Sequence, residues 1–271
     1  MTARATTQKT KRNAESAQAR RPAKKKKLLP GLHVDEGYIQ HPFDAEYGVR
    51  TSGLIVGRAL KSGHHNDRHN TAYYGVAPSI FQRILAQWRR YKPAAPLSEY
   101  TFVDLGAGMG RALLLASEHG FRQCIGVEMN PTLAAIARRN NALWRKADRA
   151  ESPLRLLCRD AVEYKLPAGP CAIFLFNPFG APVLKRLLTQ WDKQLRGREG
   201  QVDLLYVNNE QERTLRCQSG WTRLFAGEIR RSRADAIADR DILNNQPDGE
   251  YMAANWEDCS IYRWTGNFSS F

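Results

Sequence analysis

Phe102-Val103-Asp104-Leu105-Gly106-Ala107-Gly108-Met109-Gly110-Arg111 is the stretch whose reading decides the fold. A short aromatic and β-branched run ends in an acid, and three glycines at alternating positions lead into the apolar run Ala112-Leu113-Leu114-Leu115-Ala116. Glycine turns tightly and lets a backbone approach a ligand with no Cβ in the way. N–H groups at a helix start are expected to face an anionic or polar group. The stretch therefore predicts a strand, a ligand-facing turn and a helix. A dinucleotide-type GxGxxG turn would need glycine at position 111, which is Arg111.

Outward from this turn, strand-like and helix-like runs alternate. Phe102–Leu105, Cys124–Glu128, Leu154–Cys158, Ala172–Phe176 and Leu204–Val207 are rich in β formers. Helical patterns separate them. One runs from Gly110 to Gly120, and one opens at Asn130-Pro131, a cap followed by first-turn proline. A third places Leu184, Leu187, Leu188, Trp191 and Leu195 on one face before Gly197. Crossovers of this length require a mostly parallel sheet covered on both faces. Trp221–Ile229 and Cys259–Trp264 read as two further strands with no full helix between them, a C-terminal antiparallel hairpin. The expected fold is α/β, a Rossmann-like three-layer sandwich with a seven-stranded sheet. Residues 99–271 are expected to form that domain. Residues 31–98 are expected to be a lead-in covering the active site, with one helix marked by Phe81, Ile84, Leu85 and Trp88 after Pro78-Ser79.

The chain has 271 residues, 42% hydrophobic and 25% charged, the balance of a globular protein. No apolar run approaches the roughly 20 residues that cross a bilayer, so no membrane association is expected. Of the net charge of +14, much sits in residues 1–27, where Arg4, Lys9, Lys11, Arg12, Arg20, Arg21 and Lys24 to Lys27 face one acid, Glu15. Residues 1–30 are thus expected to be a disordered basic tail. It is read as a solvated arm, with nonspecific polyanion contact and bipartite-like targeting as alternatives. The expected location is cytoplasmic, or nuclear in a eukaryote. The five cysteines (Cys124, Cys158, Cys171, Cys217, Cys259) show no CxxC spacing and are expected to be reduced and structural. His64, His65, Asp67 and His69 carry metal-capable groups but lack a completing cluster, so they read as a loop and no metal is expected.

The acid and the DxGxGxG spacing of residues 104–110 resemble motif I of class I S-adenosylmethionine (SAM) dependent methyltransferases. The resemblance covers residues 99–210 well and the C-terminal strands loosely. Arg111 to Ser117, with Gly126-Val127-Glu128 and Asn177-Pro178-Phe179-Gly180, is similar to a bacterial branch of that family, and more distantly to the non-SET histone lysine methyltransferases. The resemblance implies SAM as cofactor. It implies that Asp104 shapes the glycine turn and meets the methionine portion, that Glu128 holds the ribose and that Asp160 meets the adenine, with Gly106, Ala107, Gly108, Gly110, Met129 and Ala161 also binding the cofactor. For Asp160 a helix cap is the alternative reading.

Asn177 is placed beside the cofactor as well, and Asn177, Pro178 and Phe179 are the expected catalytic turn. In amine methyltransferases an (Asn/Asp)-Pro-Pro-aromatic turn grips the acceptor nitrogen; here Phe179 replaces the second proline, and a plain strand-to-helix turn is the competing reading. Tyr73, Tyr74 and Phe179 are expected walls of an acceptor pocket, with core packing as the alternative for the two tyrosines. The methyl acceptor stays open among protein lysine or another amine, RNA and small molecules. The competing classes are a nucleic-acid-binding protein on a methyltransferase-like scaffold, an RNA methyltransferase, and a nicotinamide-dependent enzyme, which Arg111 disfavours.

Overall fold

The structure is a computed structural model that describes residues 39–245, 252 and 254–266. The basic tail of residues 1–30 lies outside the described residues.

The lead-in is more ordered than its sequence suggests. Helix α1 (Pro42–Tyr47) opens under a His41 cap, and strands β1 (Leu54–Ile55) and β2 (Tyr73–Tyr74) form a small antiparallel ladder. Between them, His65–His69 forms a 3-10 helix. Helix α2 (Pro78–Arg90) follows, and Ile80, Phe81, Ile84, Leu85 and Trp88 are buried along its inner face.

The alternating part runs β3 (Thr101–Leu105), α3 (Arg111–Ser117), β4 (Gln123–Glu128), α4 (Pro131–Lys146), β5 (Leu154–Cys158), β6 (Cys171–Phe176), α5 (Ala181–Gln194) and β7 (Val202–Val207). A short helix α6 (Glu212–Arg216) precedes β8 (Trp221–Arg230), α7 (Arg233–Asn244) and β9 (Trp256–Trp264). The seven strands β3 to β9 lie in the order β5-β4-β3-β6-β7-β9-β8. The first five are mutually parallel, and β9 runs antiparallel to both β7 and β8. This is the Rossmann-like three-layer α/β fold, with an antiparallel pair at its C-terminal side.

Period-two alternation divides the core between the two faces of the sheet. Phe102, Ala172 and Phe174 point toward the layer that contains Phe81, Ile84 and Trp88 of α2. Val103, Leu105, Ile173 and Leu175 point to the other layer, against Leu184, Leu187, Leu188 and Trp191 of α5. Cys124, Cys171 and Cys259 are buried within β4, β6 and β9, where a thiol packs as a small apolar group. Among the described residues no helix is long and apolar enough to cross a membrane.

One expectation needs correction. The antiparallel pair is present, but a twelve-residue helix, α7, joins its strands. Ser232 caps that helix by accepting the Asp235 N–H at 3.0 Å. Its buried face is Asp235, Ala238, Asp239, Ile242 and Leu243, an i, i+3, i+4, i+7, i+8 pattern. Two of those five positions are aspartates, so a count of apolar residues alone does not reveal the face. Inside the protein the acids have partners: Asp239 accepts from Arg231 Nε at 2.8 Å, and Asp235 accepts the Ser79 N–H at 2.8 Å.

Candidate functional site

Strands β3, β4 and β6 end side by side at the carboxyl edge of the sheet, where open α/β sheets form ligand crevices. A cavity opens there with about 910 Å3 of atom-free space, part of it continuous with solvent. Of the residues expected to hold a cofactor, Asp104, Gly106, Ala107 and Gly108 line it from the first turn. Glu128 and Met129 line it from the end of β4, and Asp160 and Ala161 from the end of β5.

The glycine turn uses its own donors. Gly106 and Ala107 N–H donate to the Val127 carbonyl at 2.9 and 3.0 Å, and Gly110 N–H to the Ala107 carbonyl at 2.8 Å. Gly108 N–H donates to Glu128 Oε2 at 2.8 Å. Four N–H groups of the turn, those of Gly106, Ala107, Gly108 and Gly110, thus hold the turn together. Gly110 does not line the cavity; a Cβ there would press on Ala137 of α4, so this position serves helix packing and the φ of +90° that starts α3.

Two carboxyl groups face the cavity under different conditions. Glu128 is buried, with Oε2 on Gly108 N–H and Oε1 accepting Asn130 N–H at 2.7 Å. Burial raises its pKa and these backbone bonds oppose the rise. Asp104 is 3% exposed, and among the described residues no hydrogen bond or ion pair reaches its carboxyl group. Burial first, and then the neighbouring Glu128 charge, push its pKa up to about 8. Asp160, at the far end, accepts Val162 N–H on Oδ1 at 2.9 Å, which caps the 3-10 turn Ala161–Glu163. Its Oδ2 accepts the side-chain amide of Asn66.

The lead-in forms the opposite wall. The Tyr73 ring lies on Gly108, and its hydroxyl donates to the Thr51 carbonyl at 2.7 Å. Tyr74 packs toward Phe176 at 6.5 Å between ring centroids. Its buried hydroxyl faces Asp239, and burial, followed by the Asp239 charge, raises its pKa. Both tyrosines line the cavity, so each packs and faces it at once.

The β6 turn divides in the same way. Pro178 and Phe179 line the cavity, whereas Asn177 does not. Asn177 adopts a left-handed φ of +38°, and its carbonyl accepts the Thr71 hydroxyl. Its side-chain Oδ1 is buried without a partner among the described residues. Phe179 is 7% exposed and belongs to the α5-side core.

Arg111, legible only as a departure from the dinucleotide pattern, is the main structural tie of the site. Its Nε donates to Thr51 Oγ1 at 2.6 Å, one terminal nitrogen to Ser52 Oγ at 3.1 Å, and the other to the Gly75 carbonyl at 3.1 Å. Asp44 Oδ1 lies 3.7 Å away. The helix that follows the glycine turn thus grips the segment carrying Tyr73. In the His64–His69 segment, Asp67 accepts from Ser62 and Gly63 as a turn acceptor.

No family model matches the chain, and no curated protein matches its sequence. Solved structures do align with it. An RNA methyltransferase from Salinibacter ruber, in complex with S-adenosyl-L-homocysteine, is 17% identical with a TM-score of 0.41; the match covers 70% of this chain and 92% of that one. A tRNA methyltransferase from B. subtilis is 12% identical with a TM-score of 0.44, over 71% of this chain and 67% of that one. A ribosomal protein methylase from Lactobacillus delbrueckii is 14% identical with a TM-score of 0.40, over 68% and 78%. Each is a protein to which this chain is similar in fold.

Proposed function

We propose that this chain is a SAM-dependent methyltransferase whose cofactor lies along the cavity from Asp160 to Asp104. The observation that carries the proposal is the pair of buried acids, Asp104 and Glu128, facing one cavity while no cation among the described residues meets Asp104. A buried charge without a partner is unfavourable, and a ligand bearing positive charge relieves it. SAM has an ammonium and a sulfonium, ribose hydroxyls that donate, and an amino group on its adenine. Its donors and charges therefore match the residues present.

In this reading Asp104 takes the cationic methionine end. Glu128 holds the ribose with the acceptor capacity left on its two oxygens, since each already accepts one backbone N–H. Asp160 and Ala161 meet the adenine. When bound, SAM supplies an electrophilic methyl group; the residues bind, orient and exclude water. The aromatic rings of Tyr73 and Tyr74 form a wall suited to positive charge.

The finer part of the proposal is an amine acceptor. Its support is the turn that closes β6, whose Pro178 and Phe179 line the cavity together with the two tyrosines. Phe179 and the tyrosines would keep the amine dry and lower the pKa of its conjugate acid, favouring the neutral form that carries the lone pair.

Calorimetry with SAM and S-adenosylhomocysteine tests the assignment. Wild type is expected to bind both, with large losses for Asp104→Ala and Glu128→Ala. Absence of binding, or affinities unchanged by both substitutions, refutes it. Labelled SAM incubated with a cell lysate, followed by separation of protein, nucleic acid and metabolites, identifies the acceptor class.

A further inference from the structure

The acid at the far end of the cavity has an internal partner. Asn66, in the 3-10 helix His65–His69, is 4% exposed and sends its side-chain N–H to Asp160 Oδ2. The orientation of that carboxamide is set by its other end, where Oδ1 accepts a terminal N–H of Arg186 from α5. Were the amide reversed, its NH2 would face the guanidinium and its oxygen the carboxylate, so both contacts would become repulsive. His64 adds to the hold: its Nδ1 accepts the Asn66 backbone N–H at 3.3 Å and stands 3.6 Å from Asp160 Oδ2. Asp160 Oδ1 accepts Val162 N–H, so each oxygen of this carboxylate already holds one donor and keeps room for one more. Asn66 and Asp160 both line the cavity, so the side-chain amide on Oδ2 stands in the space from which a ligand's N–H would approach that oxygen.

We propose that Asn66 is a built-in competitor for Asp160, an amide that stands where the amino group of a bound heterocycle would donate, so that the His64–Asn70 strap sets the affinity of the site. This rests on the reading of the cavity as an adenosyl site. A ligand lacking an N–H donor displaces the amide and leaves Oδ2 unsatisfied, whereas an amino-bearing ring exchanges one charge-assisted bond for another. Affinity is thus held below what Asp160 alone could give, by the strength of the bond that must be exchanged. Arg186 acts through Asn66 and is a positioning residue.

The test measures S-adenosylhomocysteine binding by calorimetry in a double-mutant cycle. Asn66→Ala is expected to bind about tenfold or more tightly than wild type, since no competing bond remains. Asp160→Ala binds more weakly, and adding Asn66→Ala to it changes nothing further, because the competition exists only while the carboxylate is there. Arg186→Gln, which frees the amide without removing it, shifts affinity the same way by less and carries the test should Asn66→Ala fail to fold. Hydrogen exchange on the ligand-free protein should show amides of residues 62–70 less protected in both variants. Unchanged or weaker binding by Asn66→Ala overturns the proposal, as does a gain that persists in the Asp160→Ala background. Failure of wild type and every variant to bind sinks the cofactor reading itself, a distinct outcome.

Discussion

Gly108 and Glu128 are joined by a 2.8 Å hydrogen bond from the turn N–H to Oε2, so the acid closing β4 also fixes the glycine turn after β3. The second oxygen of the same carboxylate takes Asn130 N–H at 2.7 Å and secures the entry to α4. Glu128→Gln keeps the shape but can accept at only one end, and its NH2 would meet an N–H at the other. The expected cost is about 1–3 kcal/mol of stability, read by urea denaturation, together with a loss of SAM affinity. A variant as stable as wild type would show that the turn does not depend on this anchor.

Asp104 makes stability and binding depend on pH in a defined direction. Its folded pKa, raised to about 8 by burial and then by Glu128, lies above the unfolded value of about 3.9. Between these values the folded state holds a proton that the unfolded chain releases, so stability falls as pH rises from about 4 toward 8 and then levels. Asp104→Asn should remove that slope and be the more stable protein at pH 8. A cationic ligand draws the group to its charged form, so SAM binding at pH 7 should release a proton. Calorimetry in buffers of different ionisation enthalpy reads that release, and Asp104→Asn should abolish it.

Arg111 and Asp44 form a buried pair at 3.7 Å, both side chains almost fully enclosed. Asp44 also accepts the Ser52 backbone N–H and hydroxyl, each at 2.7 Å. Arg111→Met leaves the carboxylate buried without its cation, which costs about 3–5 kcal/mol. Arg111→Lys should recover little, because one ammonium cannot reproduce contacts to Thr51, Ser52 and Gly75 made by a planar fork. Adding Asp44→Asn to Arg111→Met should restore part of the loss, a coupling of about 1 kcal/mol or more. Simple additivity in denaturation measurements would mean that the charges do not sense each other.

How far the sequence could be read follows from the range of each interaction. That Asp104, Gly106, Gly108 and Glu128 meet at one cavity could be read because strand, turn and helix succeed one another locally. The sheet followed from alternation and crossover length. Helix α7 was hidden because Asp235 and Asp239 occupy core positions that partners outside the helix, among them Ser79, Arg231 and His41, make tolerable. Asn66 and Arg111 were hidden for a similar reason: their partners lie 94 and 60 positions away, at Asp160 and Thr51, and no local pattern marks them. The separation of Asn177 from the cavity wall, while Pro178 and Phe179 line it, depends on a left-handed backbone angle that residue type alone does not fix.

Gly108 supplies the last prediction, since two effects exclude a side chain there and can be separated. Its φ of +54° is a left-handed conformation that an L residue adopts at a cost of about 1–2 kcal/mol. A Cβ would also clash with the Cδ2–Cε2 edge of the Tyr73 ring, which its hydroxyl bond to the Thr51 carbonyl keeps from swinging away. Gly108→Ala should therefore lose more than the conformational term alone, about 3 kcal/mol or more once overpacking is added. In a Tyr73→Ala background the clash is gone and only the backbone strain is left, so the same substitution should cost about 1–2 kcal/mol. Urea denaturation of the four proteins measures the difference. Equal losses in both backgrounds would show that the ring yields freely, and that Tyr73 is not a fixed wall of the cavity.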